Sequence, residues 1–272
     1  MNSRPPTAAL PSAWQALALM YAKERRQNTI GLLLGVLGIL ALHALIFWGD
    51  PQFLTGELPG RVILASSLMV VPLVWALIKG VWQVRSEFAQ NTHTLLRTLP
   101  VSGFAVLLAK YLWLWCEVAL LTALVVGGVF VFIGIDIGWA QVGNFEAGSA
   151  TLPANLRLGA DFVQFTLLAA LLVAPLPAIA LLSSVLAKGS RELGVLVGFV
   201  AYASLVGLFS RLFGALGTLE LNLPGLSLGR SFADTLSGAR PLVVGGEFLL
   251  LSVVFTAAVL WAAGTLFQRQ DA

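Results

Sequence analysis

Six stretches of mostly apolar residues run through this chain between Thr29 and Phe267, each near the roughly 20 residues a helix needs to cross a bilayer. They cover about 29–48, 62–82, 104–135, 162–187, 193–210 and 248–267. Their apolar character is continuous rather than alternating, which predicts helices and argues against a barrel. Charged residues make up only 11% of the chain. A soluble domain carries about a quarter, so this surface is made for lipid. The expected fold is an all-α polytopic membrane protein with six transmembrane helices. Its predicted plan is a cytoplasmic N-terminal segment, 1–28, a six-helix transmembrane domain, 29–267, and a cytoplasmic tail, 268–272.

The cations set the orientation. With the N-terminus inside, eleven Lys and Arg fall on the cytoplasmic side and five outside, as the positive-inside rule asks. Both termini are then cytoplasmic, and the N-terminal residues do not read as a signal peptide. A net charge of +3, thinly spread, gives no reason to expect nucleic acid. Cys116 is the single cysteine, and His43 and His93 are the only histidines, which excludes an internal disulfide and makes a metal site a poor expectation.

Before the first span, Trp14, Leu17, Ala18 and Tyr21 recur at helical spacing and Lys23, Arg25 and Arg26 follow. This predicts an interfacial amphipathic helix with Trp14 and the three cations as its anchors. Before the last span, residues 213–246 mix leucines with many glycines and prolines. They are too broken for a span and too apolar for a free loop, which predicts an apolar re-entrant outer segment of short helices.

The loop between spans two and three is the most informative part. From Lys79 to Lys110 it reads KGVWQVRSEFAQNTHTLLRTLPVSGFAVLLAK. A short helix is expected from about Glu87 to Leu99, with Leu95, Leu96 and Leu99 on one side and Pro100 stopping it. Leucines outside a span need burial, either in a partner's groove or on the membrane surface. The pattern alone leaves both open.

Here the sequence resembles the ABC-two membrane family, the six-helix permeases of ATP-binding-cassette exporters. Glu87, Thr92, Leu95, Leu96, Leu99, Pro100, Val101, Ser102 and Lys110 match its acidic residue, its Thr-Leu…Leu-Pro-Val-Ser run and its basic residue opening the third span. Asn91, His93 and Thr94 depart from it, standing for glycine, leucine and glutamate. The resemblance implies a cytoplasmic coupling helix that meets a separate cassette ATPase through Glu87, Phe88, Thr92, Leu95, Leu96, Leu99 and Pro100. It implies a second permease subunit, identical or paralogous, and a place in the bacterial inner membrane.

This chain itself has no Walker A motif, for no Gly-Lys dipeptide occurs in it. No cofactor is expected here, and ATP and Mg would be bound by the partner. The expected function is a non-enzymatic permease exporting an amphipathic or lipid-linked substrate. An ion-coupled secondary transporter or a membrane scaffold subunit are the alternatives. Glu117 stands inside the third span, where a charge costs about 2.5–3.5 kcal/mol, so it is a candidate intramembrane polar site. His43, in the first span, reads as a helix–helix hydrogen-bond partner or a proton carrier.

Overall fold

The computed structural model describes residues 13–49, 60–89, 102–135, 154–187, 190–216, 226–227, 243–244 and 246–269. Eight helices occur in them. These are α1 (Ala13–Trp48), α2 (Gly60–Ser67), α3 (Val70–Ala89), α4 (Gly103–Ile133), α5 (Ala154–Val173), α6 (Pro175–Leu186), α7 (Arg191–Leu216) and α8 (Gly246–Arg269). Five helical segments are long and apolar enough to cross a membrane: Trp14–Trp48, Gly60–Ala89, Gly103–Ile133, Thr166–Leu186 and Leu249–Arg269. The fifth expected span falls in α7, which contributes the shorter apolar helix Glu192–Ser204.

Prolines explain the breaks. Pro72 cannot donate to Leu68 and its ring crowds that carbonyl, so the helix parts into α2 and α3 at Leu68 and Met69. Pro175 likewise frees the carbonyl of Leu171, where α5 gives way to α6. That oxygen accepts instead from Ala174 N at 3.2 Å and from the Ser252 hydroxyl of α8, also at 3.2 Å. The indole of Trp115 in α4 donates to the next carbonyl, Ala170, at 3.1 Å. Neighbouring helices thus satisfy the polar backbone that a proline exposes in an apolar setting.

The core is built around α4 and α6. Leu107, Leu114, Val118, Leu121 and Val125 of α4 are fully buried, as are Leu176, Ala178, Ala180 and Leu181 of α6. Helix α4 starts at a cap: Ser102, extended at φ −68° and ψ 145°, accepts from Ala105 N at 3.2 Å. Such a cap is worth about 1 kcal/mol, which gives the serine of the Leu-Pro-Val-Ser run a structural purpose. Directly after it, α4 crosses α8 backbone to backbone. A Cβ at Gly264 would stand 2.7 Å from Phe104 Cα, and one at Gly103 would stand 2.8 Å from Gly264 O.

Two expectations change in form. The segment read as a separate interfacial helix is the first part of α1, which runs unbroken for 36 residues, about 54 Å at 1.5 Å per residue. No glycine or proline interrupts the ladder between Trp14 and Thr29, so nothing in the sequence makes it turn. In the outer segment, α7 continues to Leu216, and Leu226–Ser227 pair antiparallel with Val243–Val244, Leu226 opposite Val244. The remainder of that segment lies outside the described residues.

Candidate functional site

Four charged side chains meet where α1, α3 and α4 come together. Lys110 of α4 lies 2.6 Å from Glu24 Oε1 of α1 and 3.0 Å from Glu87 Oε1 of α3. Lys23 of α1 reaches the same Glu87 oxygen at 3.0 Å. Glu24, Glu87 and Lys110 are all at least 95% buried. Buried charges persist only when paired and hydrogen-bonded, and here each has its opposite.

The network continues through amides and indoles. Asn28 donates to the Glu24 backbone oxygen at 2.9 Å and to Glu24 Oε2 at 3.3 Å, and its own oxygen accepts from Lys79 Nζ at 2.9 Å. Lys79 lies 5.7 Å from the centre of the Trp75 ring. The Trp75 indole donates to Glu117 Oε2 at 3.0 Å, and that of Trp113 donates to Glu117 Oε1 at 2.6 Å. Glu117 is fully buried. One polar chain therefore links the end of α3, the first turns of α4 and the middle of α1 to a carboxyl deep in the bundle.

The residues singled out for coupling and for anchoring fall into three groups. Glu87 and Phe88 are in the last turn of α3 rather than in a new helix, because α3 runs on to Ala89. Both face inward, Glu87 to Lys110 and Phe88 edge-on to Phe267 of α8 at 6.0 Å. Of the expected interfacial anchors, Lys23 is drawn to Glu87, while Trp14, Arg25 and Arg26 are exposed. Thr92, Leu95, Leu96, Leu99 and Pro100 lie outside the described residues.

Glu117 and His43 do not come together. The His43 ring stacks on Phe132 at 6.0 Å and lies so close to Gly128 that any Cβ there would strike it. Gly128 is eleven residues beyond Glu117, about 16 Å along α4. His43 Nδ1 lies 2.9 Å from the Ile39 carbonyl of its own helix, and Nε2 is buried with no partner among the described residues. Its contact with α4 is packing, which corrects the expected hydrogen bond between helices.

Sequence reasoning passed over Glu24, Asn28 and Lys79 as members of a site, and read Lys110 only as part of a motif. A signal was present. Lys79 and Lys110 are cations within apolar stretches, and such residues need partners.

Substituting Glu117→Gln leaves one oxygen for two indole donors and turns an amide N–H toward the other. Because that buried indole loses its acceptor, the variant is expected to fold with a loss of about 1–3 kcal/mol. The measurement is the thermal midpoint in detergent. An unchanged midpoint would mean that the indoles do not hold the carboxyl.

The family model described as ABC-2 family transporter protein matches residues 21–201. Every member of the polar network, from Lys23 to Glu117, lies within that range. No curated protein matches the chain.

Proposed function

Since the chain belongs to the ABC-2 transporter family, we propose that it is the permease subunit of an ATP-binding-cassette exporter. A separate cassette ATPase supplies the hydrolysis. In this reading the chain crosses the bacterial inner membrane six times, with α7 as the fifth span and both termini in the cytoplasm. Two such subunits, identical or paralogous, sit over two ATPases, and an amphipathic or lipid-linked substrate leaves through the interface between them.

The observation that carries this is the ion cluster at the two ends of the 90–101 loop. Glu87 stands in the last turn of α3, three positions before that segment, and Lys110 follows it in the third turn of α4, and the two are paired at 3.0 Å. Glu24 and Lys23 tie α1 to the same pair. A push on the loop therefore moves three helices as one body. Leu95, Leu96 and Leu99 provide the docking face in this reading, while Glu87 and Phe88 transmit from inside the bundle.

The test is contact. A Thr92→Cys substitution in a Cys116→Ser background should cross-link to the cassette ATPase purified with the protein. A complex of normal stoichiometry whose ATPase takes up no cross-link would remove the loop from the coupling path.

A further inference from the structure

The four-residue cluster balances itself, two ammonium groups against two carboxylates. Lys79 stands apart from it. Among the described residues its ammonium contacts Asn28 Oδ1 and the Trp75 ring, and no carboxylate lies within ion-pair distance, although Glu117 feels its charge from farther off. The lysine sits in a segment, Gly60–Ala89, that is apolar enough to cross a membrane. A lysine without a direct ion pair is expensive there and favours an anion. Its Nζ passes close to α1 at Gly31, where an added Cβ would stand 2.8 Å from it.

Lys79 borders an apolar groove of about 480 Å³ lined by Val70, Val74, Trp75, Ile78 and Trp82. From Lys79 back to Val70 the wall extends about 13 Å along the helix, and Val70, Val74 and Ile78 are exposed on it. On the other side of Lys79, within one turn, comes the half-exposed Trp82, and then the polar Gln83 and Arg85. Indoles favour headgroup depth, and lysines there attract acidic lipids. We propose that this groove holds an anionic phospholipid, with its phosphate on the Lys79 ammonium and an acyl chain along Val74 and Val70.

An adjoining groove provides the contrast. This second apolar groove, about 600 Å³, shares Val74 and Ile78 with the first and runs between α3 and α7 past Leu77, Val195, Leu196 and Phe199, and its charged lining residue is Glu192. A carboxylate repels phosphate, so this groove should take lipid without favouring an acidic headgroup. The inference concerns the chain alone and does not depend on which partner drives it.

The purified protein is placed in nanodiscs containing phosphatidylcholine and phosphatidylglycerol in equal parts, with a photoreactive benzoylphenylalanine at Val70, which lines the first groove alone, or at Phe199, which lines the second alone. Mass spectrometry of the attached lipid gives the ratio of headgroups. At Val70 phosphatidylglycerol should exceed phosphatidylcholine about fivefold, on the order of what one lysine at an acidic surface supplies. Lys79→Gln, which still offers a donor to Asn28, should abolish the excess, and Lys79→Arg should keep it. Phe199 should show none. Equal labelling at Val70, the same excess at Phe199, or an excess that persists in Lys79→Gln would each overturn the proposal.

Discussion

Replacing Lys110 with methionine is expected to remove most of the folded protein from the membrane. The ammonium answers two carboxylates at 2.6 and 3.0 Å, and the side chains of all three residues are about 95% buried or more. Methionine fills similar space, so the loss is one of charge rather than volume. Glu24 is then left without a cation and Glu87 keeps only Lys23 among the pairs described. Breaking a buried ion pair from one side costs about 3–5 kcal/mol, a large part of the roughly 5–15 kcal/mol that holds a domain together. Adding Glu24→Gln and Glu87→Gln to Lys110→Met should restore much of the yield, because no buried charge of the cluster is left uncompensated and Lys23, with its side chain 40% exposed, can turn to water. Monodisperse protein recovered from detergent extracts measures both. If Lys110→Met alone extracts and melts like the parent, the cluster does not support the fold.

The second large effect should leave the fold alone. Leu95→Asp with Leu96→Asp touches no span, so the protein should insert and extract normally. Burying each leucine is worth about 1.5–3 kcal/mol. Losing both weakens docking at least about a hundredfold, and two carboxylates in an apolar groove weaken it further. The ATPase should vanish from the purified complex, and ATP-dependent transport with it. Retention of the ATPase at normal stoichiometry would show that the leucines are buried elsewhere, with the membrane surface the first place to look. The two variants therefore fail differently, one in extraction and the other in assembly.

The helices were legible because each is written in consecutive residues. A run such as Phe104 to Ile133 announces a span without reference to anything distant, and Pro72 and Pro175 announce their breaks. The cap at Ser102 and the pair of Glu117 with Trp113, four residues apart, are equally local. The ion cluster is not. Glu24 and Lys110 are separated by 86 positions and Trp75 and Glu117 by 42, so no periodicity joins them. Glu24 was hidden further by its setting, a carboxylate inside the basic run from Lys23 to Arg26. Glu87 is legible as the acidic residue of the motif, but its direction is not. Its partner Lys110 lies 23 positions on, and that cation's demand for an anion turns the carboxylate inward.

The order of the cluster along the chain bears on how the protein is made. Glu24 and Glu87 precede Lys110, and Trp75 and Trp113 precede Glu117. Each group most costly to bury thus leaves the ribosome after its partners. Until α4 is made, the α1–α3 segment carries both carboxylates of the cluster and only Lys23 of its cations. When α4 is added, its lysine can close both pairs at one end, while its glutamate arrives with Trp113 on the same helix and meets Trp75, already made. On this order α1 and α3 are expected to gain the shared cation of their cluster only once the central helix is present.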